Sequence, residues 1–95
     1  MEGRNTIEAL KSIKPSIQKY GIKRLRVFGS VLRDDFSADS DVDLLVEFDH
    51  MPSFFLILDM QNEIERQIGR KVDLVFPHKI FPEIRESILR EAQDV

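Results

Sequence analysis

The segment from Val27 to Phe48, VFGSVLRDDFSADSDVDLLVEF, constrains the fold most, because it places aspartates at the start of an otherwise apolar strand. Aspartate is disfavoured inside strands, so its presence there requires a reason. Side chains alternate along a strand and therefore fall into two sets. The acidic set is Asp41, Asp43, Leu45 and Glu47, and the apolar set is Val42, Leu44, Val46 and Phe48. The pattern predicts a strand with an apolar face against helices and an acidic face left open.

The rest of the chain predicts two more strands and a set of helices. A stripe with helical spacing runs from Ile7 to Tyr20, and this helix should kink or split at Pro15 and end at Gly21. Residues 22–28, 41–48 and 71–76 read as strands. A helix runs from Pro52 and Ser53 to Gly69, with an inner stripe of Phe54, Ile57, Ile64 and Ile68, and the last helix begins near Pro82, with a stripe of Ile84, Ile88, Leu89 and Ala92. The order α-β-α-β-α-β-α predicts an α/β (α+β) fold with a three-stranded mixed sheet covered by helices. We expect residues 1–95 to form a single domain.

Composition and charge argue against a membrane protein and against a nucleic-acid-binding protein. Charged residues make up 33% of the chain, there is no cysteine, and no apolar run reaches membrane-spanning length, so we predict a cytoplasmic protein that binds no membrane. Residues 1–33 carry eight Lys or Arg against two Glu, whereas residues 34–95 carry six against fifteen acidic residues. This acidic balance argues against direct nucleic-acid binding.

Three carboxylates are predicted to meet at one end of the sheet. The helical crossover between the second and third strands favours a parallel pair, whose N-terminal ends lie side by side. Asp73 opens the third strand as Asp41 and Asp43 open the second. Carboxylates this close repel one another unless cations bind between them, and oxygen ligands suit Mg²⁺. We therefore predict a magnesium site at Asp41, Asp43 and Asp73, with room for two ions.

The turn before the acidic strand predicts phosphate binding. Gly29 allows a backbone to approach a phosphate closely, because it has no Cβ. Ser30 suits the N-cap of a short helix over residues 31–34, whose N–H groups would face an anion. Arg33 would lie one turn along, where it reaches either phosphate or a carboxylate.

These residues resemble the DNA polymerase β-type nucleotidyltransferase superfamily, and the minimal nucleotidyltransferase (MNT) group in particular. The shared motif is Gly-Ser, ten residues, then Asp-x-Asp, here Gly29-Ser30 and Asp41-Val42-Asp43. The resemblance implies that Asp41 and Asp43 hold both metals and that Asp73 completes the site and activates the acceptor hydroxyl. It also implies that Gly29 and Ser30 hold the triphosphate, with Ser40 close by. Asp34 stands where many relatives have glycine, and a residue other than glycine restricts the backbone at that position.

The resemblance also implies a function. MNT proteins are commonly paired with HEPN-domain toxins. The resemblance therefore implies that the chain transfers AMP from ATP, with Mg²⁺, to a tyrosine of a HEPN partner. Such a protein would act as a type VII-like antitoxin. The short chain offers no acceptor-binding domain, which favours a protein acceptor and a homo- or hetero-oligomer. The alternative is a non-catalytic antitoxin that neutralises its toxin by binding, favoured by the apolar run from Phe54 to Leu58. A polynucleotide-tailing enzyme is disfavoured by the acidic balance.

Overall fold

The helices and strands follow the predicted order in a computed structural model, which describes residues 2–33 and 35–95. The principal elements are α1 (Glu2–Ile17), β1 (Ile22–Phe28), β2 (Val42–Phe48), α2 (Phe54–Ile68), β3 (Val72–Val75), α3 (Pro82–Glu91) and β4 (Gln93–Asp94). Short 3₁₀ turns lie at Gln18–Tyr20, Gly29–Leu32 and Pro77–Lys79. The predicted α+β class is confirmed. In the described part of the chain, no helix is long and apolar enough to cross a membrane.

The sheet has four strands in the order β3-β2-β1-β4, so the predicted count of three was one too low. The pairing of β2 with β3 is parallel, as predicted, and β1 runs antiparallel to β2. The additional strand β4 pairs antiparallel with β1, opposite Arg26 and Val27. A strand of two residues is too short to show an alternating pattern, so it could not be recognised from the sequence.

Helices α1 and α2 cover the apolar face of the sheet. The buried cluster joins Leu10, Ile13 and Ile17 of α1 and Met60 and Ile64 of α2 to the strands. Its strand members are Ile22, Leu25, Val27, Val42, Leu44, Val46 and Val72. This packing fixes which face of β2 is buried, and Asp43 points to the other face.

Two predicted details of the helices were wrong. Phe54, assigned to the inner stripe of α2, is 67% exposed, and Met60 and Glu63 are buried instead. Phe54 begins the helix directly after the N-cap Ser53, so it lies at the helix end, where its ring meets Phe55. The predicted split of α1 at Pro15 is not seen, because the helix continues through Pro15 to Ile17. Pro15 removes only its own N–H from the helix, and the chain then tightens into a 3₁₀ turn that ends at Gly21, as predicted.

A polar cluster ties α1 to α2 beside this core. The Tyr20 hydroxyl donates a hydrogen bond to Glu63 Oε1 at 2.6 Å, and Lys19 Nζ lies 3.0 Å from the same oxygen. Gln67 donates to the second carboxylate oxygen at 3.0 Å. The hydrogen bond from Tyr20, followed by that from Lys19, lowers the pKa of Glu63. The same hydrogen bond to Glu63, followed by desolvation, raises the pKa of Tyr20 to about 12.

The pKa of Tyr20 gives a direct test, because it is the only tyrosine in the sequence. We expect ultraviolet titration of the folded protein to show a phenolate midpoint at about 12. In Glu63→Gln the midpoint should return toward the ordinary value of about 10. Because the folded pKa is the higher one, the stabilisation is present below about pH 10 and is lost as the pH rises through the folded pKa. A midpoint near 10 in the parent, with circular dichroism showing an intact fold, would contradict this.

Candidate active site

The start of the β2–β3 pair carries two of the three predicted carboxylates. Asp43 lies directly opposite Asp73 in the parallel register, and both side chains leave the face of the sheet that α1 and α2 do not cover. Asp41 is exposed and lies one residue before β2, at the same end. The structure therefore brings Asp43 and Asp73 together as neighbours, with Asp41 at the rim.

The Gly29-Ser30 turn lies against the carboxylate of Asp43. Phe28 is the register partner of Asp43 across β1 and β2, so Gly29 follows immediately beside it. Gly29 has φ +77°, and a Cβ placed on it would collide with the Oδ2 atom of Asp43. The site thus needs glycine both for its backbone conformation and for the space.

The predicted short helix after this turn was only partly right. The turn is a 3₁₀ helix over Gly29–Leu32, preceded by Phe28, so Ser30 lies inside it rather than at its N-cap. The backbone N–H of Arg33 donates to the Ser30 carbonyl at 2.9 Å and closes the turn. Because β1 runs directly into the turn, the residue before the turn is Phe28, whose side chain cannot accept a capping hydrogen bond. Asp34, the departure from the family motif identified in the sequence, lies outside the described residues.

The electrostatics of the site centre on Asp43. Partial burial raises the pKa of Asp43, and the negative charges of Asp73 and Asp41 raise it further. Arg33 acts in the opposite direction, and Glu91 adds to the increase. An ionised Asp43 is therefore an unfavourable charge in the protein alone, and an added cation would relieve it.

The guanidinium of Arg33 is paired with Glu91, at the end of α3. Its Nη2 atom lies 3.0 Å from Glu91 Oε1. Of the two alternatives for Arg33, phosphate or a carboxylate, the protein alone shows the carboxylate. Glu91 was missed from the sequence, because it lies 58 residues beyond Arg33 and follows no motif.

Ser40 and Asp41 line a separate polar cleft. This cleft of about 400 Å³ also includes Asp39 and Lys71. The Ser40 hydroxyl accepts a hydrogen bond from the Ser37 N–H at 3.1 Å, so it supports the turn before Asp41. A phosphate contact for Ser40 stays a prediction.

Glu47, four residues after Asp43 on the same strand face, has a structural role. It pairs with Arg26 of β1 at 2.7 Å. Arg26 is 7% exposed, and Arg24 pairs with Asp94 of β4 at 2.8 Å. Both arginines are thus engaged within the sheet.

The carboxylate oxygens are ligands of the kind that divalent cations such as Mg²⁺ prefer. The three aspartates offer hard oxygen ligands, and the pKa of Asp43 is raised partly by the two charges that a cation would balance. As they stand, no three His, Cys, Asp or Glu side chains in residues 2–33 and 35–95 form a group that could hold a metal ion. Asp43 and Asp73 are direct neighbours in the strand register, and Asp41 lies outside the paired residues.

An apolar cleft opens beside the same two carboxylates. It has a volume of about 540 Å³ and lies between the sheet, at Phe28 and Val75, and helix α3, at Ile84 and Ile88. Asp43 and Asp73 are among its lining residues. The two isoleucines were predicted to form the buried stripe of the last helix, yet Ile84 is 50% exposed. Their role at the site was therefore missed.

The known proteins that resemble this chain in sequence agree with one another in the family to which they belong. The model of the nucleotidyltransferase domain matches residues 4–95. A Methanocaldococcus jannaschii protein named "Putative protein adenylyltransferase MJ0435" is 36% identical over 91 residues, which cover 96% of this chain and 98% of the relative. Protein adenylyltransferase MntA of Thermococcus cleftensis is 34% identical over 91 residues, with 90% and 92% covered.

Solved structures agree on the fold. A structure described as a "putative minimal nucleotidyltransferase" matches with a TM-score of 0.84 at 32% identity and covers 100% of this chain and 97% of its own. A chain from the complex of a tri-AMPylated Shewanella oneidensis HEPN toxin with an MNT antitoxin matches with a TM-score of 0.68. That match covers 94% of this chain and 70% of the other, and at 13% identity it shows the fold alone.

The contact between Gly29 and Asp43 predicts an asymmetry between two glycines. Gly21 has φ +81° with open space around its Cβ position, whereas Gly29 has the same kind of backbone and no space. We expect Gly21→Ala to lower the free energy of unfolding by about 1–2 kcal/mol, the cost of a left-handed alanine. Gly29→Ala should cost clearly more, as measured by urea unfolding. Equal losses would show that the turn does not press on Asp43.

Proposed function

Because the chain belongs to the nucleotidyltransferase domain family, we propose that it transfers AMP from ATP to a hydroxyl group of a partner protein, with Mg²⁺ as cofactor. One observation carries this proposal: the Gly29 turn, Asp43 and Asp73 meet at one end of the sheet. Relatives named protein adenylyltransferase support the choice of AMP and of a protein acceptor. A reaction that consumes ATP also fits the predicted cytoplasmic location.

The proposed reaction divides the site into two sides. The backbone of Gly29 and Ser30 would hold the triphosphate, whose charge Arg33 could help to balance after leaving Glu91. The acceptor oxygen attacks the α-phosphorus while the bond from that phosphorus to the pyrophosphate oxygen breaks. Asp73 accepts the proton of the acceptor hydroxyl. The products are the AMP ester of the partner and pyrophosphate, so atoms and charge balance.

Asp41, Asp43 and Asp73 would hold the metal. Bound Mg²⁺ would supply positive charge to the phosphate oxygens and lower the pKa of the attacking hydroxyl. The desolvated, negatively surrounded Asp43 supports this assignment, because a cation would stabilise its ionised form. Ser40 would assist near the triphosphate only after its hydrogen bond to Ser37 is exchanged.

We propose a HEPN-domain toxin as the partner and a tyrosine hydroxyl as the acceptor, which makes the chain a type VII-like antitoxin. The structural match to an MNT antitoxin in complex with an AMPylated HEPN toxin supports a partner of this kind. An exposed apolar surface on the first turn of α2 offers a place for it to bind. Phe54 is 67% and Phe55 75% exposed, and Leu58 is 37% exposed.

The same apolar surface supports the second candidate, a non-catalytic antitoxin that acts by binding. That function would not need Asp43, whose partial burial between two other carboxylates is unfavourable in the protein alone. Catalysis explains this cost, and binding does not.

Asp43→Asn tests the catalytic reading. The side chain keeps its shape and loses the charge, so AMP transfer should fall by about a hundredfold or more. Thermal stability should stay equal or rise, because the repulsion from Asp73 and Asp41 is removed. Asp49→Asn, an exposed position after the other end of β2, is the matched control and should transfer at the parent rate. Parent activity in Asp43→Asn would refute the metal assignment.

The partner is tested by co-expression with a HEPN-domain toxin. Mass spectrometry should find about one AMP added per modified tyrosine, together with loss of the toxin's activity. An Asp41→Asn, Asp43→Asn double variant should leave the partner unmodified and active. If that variant silences the partner equally well with no added mass, the protein acts by binding alone.

A further inference from the structure

Helix α3 does not pack tightly against the sheet. None of its residues, 82–91, is buried, and Ile84 and Ile88 face the cleft of about 540 Å³ rather than a filled core. Isoleucines on one stripe of a helix normally bury that stripe. Apolar walls around open space next to two carboxylates are typical of a ligand site.

We propose that this cleft, between α3 and β3, binds the aromatic ring of the acceptor side chain, with Ile84 and Ile88 as the residues that select a phenol over an aliphatic hydroxyl. The inference rests on the proposed function, because it assigns one side of that same site. Its occupant is the side chain of a tyrosine brought by the partner protein.

The direction of the reaction places the acceptor in the cleft. In phosphoryl transfer the attacking and leaving oxygens lie roughly in line through the phosphorus. If the pyrophosphate lies at the Gly29-Ser30 turn, the acceptor must approach from the opposite side of Asp43. Asp73 lies on that side, because β2 separates β3 from β1, and Asp73 lines the cleft.

The chemistry of the walls selects the occupant. Phe28, Val75, Ile84 and Ile88 offer apolar contact for a ring, and Asp73 lies where the phenolic hydroxyl would point. A serine or threonine side chain is too short to fill such a cleft and would gain little from these walls. An adenine ring carries several hydrogen-bonding atoms, for which Lys79 is the main polar side chain apart from the two carboxylates. The walls therefore favour the phenol over the base.

The test uses p-cresol, the side-chain analogue of tyrosine, as the probe. Ligand-observed NMR would measure its binding to the full chain in the presence of Mg²⁺ and the non-hydrolysable analogue AMPCPP. Ile84→Trp fills the cleft at a residue that is already half exposed, so the fold should tolerate it. Glu86→Trp adds the same indole on the opposite side of α3, where the side chain is 88% exposed, and serves as the control.

We expect p-cresol to bind the parent and Glu86→Trp alike, and Ile84→Trp about tenfold more weakly or worse. The thermal shift caused by Mg²⁺ and AMPCPP should be unchanged in both variants. If Ile84→Trp instead reduces that shift and leaves p-cresol binding intact, the cleft holds the nucleoside and the proposal is wrong. Equal p-cresol binding in all three proteins, or none in any, also overturns it.

Failure of the proposed function gives a different result. A parent protein that shows no thermal shift with Mg²⁺ and AMPCPP has no nucleotide site. Binding of p-cresol that Ile84→Trp still weakens would then support an aromatic-binding cleft without transfer chemistry. The two readouts therefore separate the cleft assignment from the nucleotidyl transfer.

Discussion

One-sided burial of β2 is the constraint on which the site depends. Val42, Leu44 and Val46 are almost completely buried against α1 and α2, so the alternation of the strand leaves Asp43 on the other face. A shift of one residue in register would bury the carboxylate and expose the valines. The position of Asp43 is therefore held by the apolar core. The parallel register with β3 then places Asp73 beside it.

Several features of the site lower the local stability of the fold. Partial burial and two neighbouring carboxylates raise the pKa of Asp43, and Gly29 adopts a left-handed backbone so that the turn can lie against that carboxylate. The core and the Tyr20–Glu63 cluster lie on the opposite face of the sheet and offset these costs. Strained and repulsive groups are tolerated where function requires them, provided that the surrounding structure holds them in place.

Patterns that depend on a single element could be predicted from the sequence. The bounds of β1 and the glycine ends at Gly21 and Gly69 follow from local spacing, and the β2–β3 pairing follows from the helical connection. The remaining features depend on contacts between distant segments. Helical periodicity places Ile84 and Ile88 on one stripe, but it cannot reveal that this stripe faces the acidic side of the sheet across an open cleft. For the same reason, nothing near Arg33 in the sequence pointed to Glu91.

Because α3 packs loosely against the sheet, it should be more mobile than the strands. The helix is held mainly at its ends, by the bonds from Arg85 to the Pro77 carbonyl, by the Arg33–Glu91 pair and by the pairing of β4 with β1. A segment with few buried apolar contacts opens locally at low free energy. Amide hydrogens of α3 should thus exchange with solvent well before those of β1 and β2, in a unit separate from the rest of the domain. One wall of the cleft can then adjust to what enters it while the carboxylates on the sheet stay in place.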